Sequence, residues 1–255
     1  MGIGIPILNK QFMKIKLFLF LLIATSCFAQ KTTVYTIGDS TMANKTNPTE
    51  NPEHGWAQVL QQFFDTNVMV DNRAQNGRST RSFINENRWD SILKTLKKGD
   101  YVFIQFGHND QKENKPSVYT NPRTAYRQNL IKFVTETRAK GATPVLLSSI
   151  VRRNFNEQGT LVDTHGLYPL ETRLVATDYK VPFIDLQYLT ELLEESYGVE
   201  GSKKLHLHFA VGESSFYKTE KHDDTHLSLL GATEIAKLVV AELKKTDLDL
   251  KKHLK

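Results

Sequence analysis

From residue 31 onward the chain alternates short, almost unbroken apolar runs with stretches of helical periodicity, a pattern that few folds accept. The apolar runs fall at residues 34–37, 68–71, 101–106, 144–150 and 182–186. Runs without polar alternation suit strands buried on both faces, and hence a parallel sheet covered by helices. The helical stretches are 56–64, 83–96, 123–138, 170–179 and 188–197, with a last one from Ser228 to Lys244. In the third, Tyr126, Leu130, Phe133, Val134 and Thr137 share one face, Asn121-Pro122 supplies a start, and Gly141 a stop. The expectation is one α/β domain over residues 30–255, a three-layer fold with a five-stranded parallel sheet and helices on both faces. Periodicity leaves the strand order open.

The first 29 residues read differently. Lys10, Lys14 and Lys16 precede an apolar run at 17–24, and Cys27-Phe28-Ala29 follows, which is the layout of a signal peptide cleaved after Ala29. The mature protein is therefore expected to be secreted or periplasmic. A run of eight apolar residues is far below the ~20 that a membrane-spanning helix needs. Lipid attachment at Cys27 is the weaker reading, because the leucine usual three positions earlier is absent. Removing residues 1–29, with three lysines and no acids, takes the formal charge from +5 to +2. So small a charge gives no ground for a nucleic-acid partner. Cys27 is the sole cysteine, so the mature chain has no disulfide and no thiolate metal site.

Chemistry-bearing residues collect where the first three strands end. Gly38-Asp39-Ser40-Thr41 follows the first run and offers Ser40 as a nucleophile, with Asp39 tying the turn. Asn76-Gly77-Arg78-Ser79 follows the second, where Gly77 can turn its N–H toward a substrate oxygen. Gly107-His108-Asn109-Asp110 follows the third, and Asn109 adds an amide donor. In an open parallel sheet all three sites lie at the carboxyl edge, where ligands bind. Asp223 and His226, three apart before the last helix, supply a base and the acid that orients it. His108 is the rival base, and otherwise fixes its loop together with Asp110. His206 and His208 alternate as on a strand, but no third ligand has metal-site spacing. Neither a metal nor a cofactor is expected.

These four blocks resemble the GDSL or SGNH hydrolases, with Ser40, Gly77, Asn109 and His226 at the namesake positions. Within that superfamily the chain is similar to rhamnogalacturonan acetylesterases. The likeness rests on 76–83, 107–110 and 223–228, on Thr143-Pro144-Val145-Leu146 with Arg152-Arg153, and on 161–166. The resemblance implies a flavodoxin-like sheet of order 2-1-3-4-5 and removal of acetyl groups from pectic polysaccharide of the plant cell wall. It also implies an oxyanion hole of Ser40 N–H, Gly77 N–H and the Asn109 amide. Arg78 and Arg81, just past Gly77, are candidates for binding the carboxylates of a polyuronate, with bracing of the loop as the alternative. Two other readings compete. A lipid or aryl esterase would need a broad apolar groove where this chain has Arg78, Arg81, Arg152 and Arg153. A non-catalytic carbohydrate-binding module would have no use for the serine, histidine and aspartate.

Overall fold

The computed structural model describes Met1 and residues 31–255; apart from Met1, the expected leader over 1–29 lies outside the described residues. Residues Thr32–Lys255 make up one compact unit. In chain order it begins with β1 (Thr32–Gly38), β2 (Glu53–His54), β3 (Val68–Asn72), α1 (Thr80–Asn85), α2 (Arg88–Leu93) and β4 (Tyr101–Gln105). It continues with α3 (Arg127–Ala139), β5 (Thr143–Leu147), α4 (Leu167–Asp178), β6 (Phe183–Ile184) and α5 (Leu186–Gly201). β7 (His206–Phe209), β8 (Lys221–Ser228) and α6 (Leu229–Lys245) close it. Among the described residues no helix is long and apolar enough to cross a membrane.

Strands β3-β1-β4-β5-β6 form one parallel sheet, so its own strands run second, first, third, fourth, fifth. That is the order the resemblance implies. The apolar runs lack alternation because both faces are buried. Val34, Phe103, Val145 and Leu147 face one core with Ile235, Val239 and Leu243 of α6. Tyr35, Ile37, Val102, Ile104 and Leu146 face the other, with Trp89 of α2 and Leu130, Phe133 and Val134 of α3. Phe133 packs against Phe83, Trp89 and Phe106 at ring separations of 5.0–6.4 Å. Because the strands are parallel, Ser40, Gly77 and Asn109 all emerge at one edge.

Three features depart from the sequence expectation. Residues 56–64 form two 3-10 turns, Trp56–Gln58 and Leu60–Phe63, in place of a helix. Tertiary hydrogen bonds hold them there: Trp56 donates its backbone N–H to Thr41 O and its indole N–H to Gln105 Oε1. The 83–96 helix is two helices broken at Asn87, whose φ is 56°. The third departure is a second, antiparallel sheet, β2-β8-β7, beyond the five strands expected.

Two polar details fix the chain near this edge, one exposed and one buried. Asn121 caps the turn ahead of α3 by accepting from Arg123 N–H, as the Asn-Pro pair suggests. Asp110, fully buried, accepts from Thr80 N–H, Thr80 Oγ1 and Thr120 Oγ1, and so ties the start of α1 to the loop after β4. Burial pushes the Asp110 carboxyl up to about 6, against the lowering effect of its hydrogen bonds from Thr80 and Thr120.

A raised folded-state pKa means that the fold gains from protonation of Asp110. This gain is complete below the ordinary carboxyl value near 4 and is lost as pH rises through about 6. Denaturation of the parent and Asp110→Asn between pH 4 and 7 should show the parent's stability relative to the variant declining over that window. A constant difference would remove the assignment. At Gly231 an added Cβ would lie 2.0 Å from Leu205 O, whereas at Gly201 its nearest neighbour is at 3.7 Å. Gly231→Ala should therefore cost about 1–3 kcal/mol, and Gly201→Ala within about 0.5 kcal/mol of nothing, both read from urea midpoints.

Candidate active site

Ser40 stands two residues beyond the end of β1, in a turn that Asp39 builds. Asp39 Oδ1 accepts from Thr41 N–H at 3.0 Å and from Thr41 Oγ1 at 2.9 Å, while Asp39 O accepts from Met42 and Ala43 N–H. The carboxyl is wholly buried, and burial raises its pKa even though Thr41 pulls it down. Asp39 is thus structural, as the turn composition suggests.

Asp223 and His226, the candidate acid and base, lie on β8 and owe their aim to an irregularity in its ladder. Neighbouring β7 residues His206 and Leu207 pair with Leu227 and Asp223, so residues 224–226 bulge out of register. Asp223 Oδ1 closes the bulge by accepting from Thr225 N–H at 3.0 Å and His226 N–H at 2.9 Å. Its Oδ2 lies 2.9 Å from His226 Nδ1, and His226 Nε2 lies 3.0 Å from Ser40 Oγ. With Nδ1–H donated to the carboxylate, Nε2 has its lone pair facing the serine hydroxyl. Burial would raise the Asp223 pKa, but hydrogen bonds from the His226 ring, His226 N–H and Thr225 N–H hold it well below the usual carboxylate range. Lys221 Nζ, 3.1 Å from Oδ2, adds a cation. The Asp-x-x-His spacing is therefore that of a bulge.

The donor side is assembled around Asn109. Its Nδ2 donates one N–H to Arg78 O at 3.0 Å, and Lys112 Nζ donates to its Oδ1 at 2.6 Å, which fixes the amide's orientation and leaves one N–H over. Gly77 has φ 76°, in the left-handed region. The N–H groups of Ser40 and Gly77 donate to no protein group among the described residues. What joins these parts is Lys45, which the sequence reading missed. Only 6% exposed, it donates from Nζ to Ser40 O and to Asn76 Oδ1, and pairs with Glu53 Oε1 at 2.7 Å. One ammonium so ties the serine turn to the residue before Gly77, and β2 neutralises it. A lone lysine carries no sequence signal of burial.

Other candidates take different places. His108 is buried, with Nδ1 2.8 Å from His165 Nε2, and burial holds its pKa well down. It fixes its loop, and it is His226 that meets Ser40 Oγ. The ring nitrogens of His206 face Glu194 Oε1 and His226 O, so this residue supports the backbone of the base. His208 pairs with Asp224, which Arg153 also holds. Among the described residues no group of three or more His, Cys, Asp or Glu could hold a metal ion. Of the two arginines after Gly77, Arg78 braces the loop, with Nε on Glu86 and Nη1 on Asn76 O. Arg81 does not share that ion pair.

The fold and these blocks have known counterparts. Residues 36–233 match the GDSL-like Lipase/Acylhydrolase family. The chain is 42% identical over 221 residues to rhamnogalacturonan acetylesterase RhgT of Bacillus subtilis, covering 87% of this chain and 93% of that protein. It is 33% identical over 220 residues to the probable rhamnogalacturonan acetylesterase YesY of the same organism, covering 85% and 94%. The crystal structure of Bacillus subtilis YxiM superposes with a TM-score of 0.69 at 28% identity, covering 84% of this chain and 56% of that longer one. By sequence, fold and the arrangement at its sheet edge, this chain belongs to the GDSL-like lipase/acylhydrolase family, the SGNH hydrolases.

Proposed function

We propose that this protein is a serine acetylesterase that removes acetyl groups from rhamnogalacturonan by way of an acetyl-enzyme. The observation that carries the mechanism is the continuous relay from Asp223 through His226 to Ser40, at 2.9 and 3.0 Å. Ser40 Oγ attacks the ester carbonyl while His226 Nε2 takes its proton, and Asp223 steadies the imidazolium that forms. The free N–H groups of Ser40 and Gly77, with the remaining Asn109 N–H, receive the charge that develops on the carbonyl oxygen. His226 then protonates the departing sugar oxygen as the C–O bond breaks, the acetyl group stays on Ser40 as an ester, and a water deprotonated by the same imidazole displaces Ser40 Oγ to release acetate. The substrate reading is supported by the similarity to the rhamnogalacturonan acetylesterase RhgT and the probable rhamnogalacturonan acetylesterase YesY. A leader over residues 1–29, removed on export, would put the enzyme where such a polymer is found.

Acetate release from acetylated rhamnogalacturonan, measured beside acetyl-xylan and p-nitrophenyl acetate, tests the reading. A marked preference for the first is expected, and equal or better turnover of acetyl-xylan would overturn it. Ser40→Ala and His226→Ala should each abolish turnover, with the double variant no worse than either, because the residues act as a unit. Asn109→Ala should lower kcat by about 10²–10³-fold, the usual loss of one oxyanion donor. A change confined to KM would instead make Asn109 a ground-state binding residue.

A further inference from the structure

Beside Gly77 lies a cavity of about 420 Å3 that the ester chemistry does not use. One wall is α1 with the loop before it, and the other is the segment Pro116-Ser117-Val118. Its size lies in the range of small-ligand sites. Four arginines lie near the blocks, and three are committed. Arg153 holds Asp224, Ser202 Oγ and Val199 O. Arg152 donates to Thr164 Oγ1 and lies against the His165 ring. Arg78 is occupied by Glu86 and Asn76 O.

Arg81 is different. Among the described residues its one hydrogen bond runs across the cavity to Pro116 O, at 3.3 Å from Nη1. A guanidinium has five N–H donors in a planar fork, so four remain for a ligand. Glu86, the carboxylate on the cavity wall, is already matched by Arg78 at 3.0 Å and Arg88 at 2.6 Å. The wall therefore presents positive charge with its acid neutralised. Asn85 and Ser117, also on the lining, offer neutral groups suited to sugar hydroxyls.

We propose that this cavity is a carboxylate-binding subsite in which Arg81 holds the carboxylate of a uronate of the acetylated polymer, while Arg78 only shapes the loop. The inference rests on the rhamnogalacturonan substrate put forward above, whose galacturonate units carry the carboxylate. A guanidinium and a carboxylate meet through paired, charge-assisted hydrogen bonds, which a neutral sugar at the same place could not form. Gly77 forms part of the same lining, so a sugar in the cavity abuts the carbonyl-binding donors. The selectivity of the enzyme for acidic polymers thus resides in one local cation, on a chain whose expected mature charge is only +2.

Binding of an unreactive probe separates this proposal from the substrate reading. Digalacturonate and neutral digalactose are tested as competitive inhibitors of p-nitrophenyl acetate hydrolysis, in the parent, Arg81→Gln and Arg81→Lys. Digalacturonate should inhibit the parent more strongly than digalactose. Arg81→Gln should raise its inhibition constant by about tenfold or more, the scale of a lost charge-assisted hydrogen bond, with Arg81→Lys between the two. Digalactose should change by less than about threefold. Raising salt should weaken digalacturonate inhibition of the parent and not of Arg81→Gln. The same digalacturonate inhibition in parent and Arg81→Gln overturns the subsite, as does equal inhibition by both sugars. Acetate release judges the substrate separately: an enzyme inactive on rhamnogalacturonan but inhibited through Arg81 keeps the subsite and loses the substrate.

Discussion

A two-residue strand holds the site together. β2 is only Glu53–His54, yet it pairs with β8 through Glu53↔Ser228 and His54↔Leu227. Leu227 directly follows His226, so this pairing sets where the His226 imidazole can stand. β2 also follows the Ser40 turn closely, and Trp56 N–H returns to Thr41 O. Glu53 reaches Lys45, whose Nζ grips Ser40 O and Asn76 Oδ1. Serine turn, oxyanion loop and histidine bulge thus hang on one short segment. Gly55 beside it admits no side chain, because a Cβ there would sit 2.2 Å from Ala43 O.

The electrostatics follow from burial with specific partners. Lys45 loses most of its water and is repaid by three oxygens, one of them anionic. Asp223 gains two backbone N–H groups, an imidazole and a lysine, and so stays ionised where it faces His226. Asp110 has only neutral donors, and its carboxyl is raised. Two aspartates near the same sheet edge are thus driven in opposite directions, Asp110 upward by complete burial and Asp223 downward by the hydrogen bonds from His226 and Thr225 that outweigh its burial.

The sequence makes some of this legible and hides the rest for identifiable reasons. Runs such as Tyr101–Gln105 announce a buried parallel strand because burial on both faces removes polar alternation. Ser40, Asn109, Asp223 and His226 stand out because each belongs to a local block whose residue types have few other joint uses. β8 was hidden: Lys221–Ser228 is polar, with Leu227 alone fully buried, and its register is set by distant partners. The stretch 56–64 has helical spacing, but Gln61 spends its amide on Val68 O and Val70 N–H, which draws the segment toward β3. Lys45 and the different fates of Arg78 and Arg81 depend on which acid lies near in space. No local pattern encodes that.

The hydrogen bond from His226 to Ser40 joins residues 186 positions apart, one near the start of the folded unit and the other close to its end. A polypeptide emerging from the ribosome exposes its serine long before it possesses a base. Throughout that interval the nascent chain carries an unactivated hydroxyl, chemically no different from any other serine. The serine therefore has no imidazole partner until residue 226 has been made, and a product cut short ahead of that residue is inert by construction. Synthesis to near completion is itself the switch that arms the site.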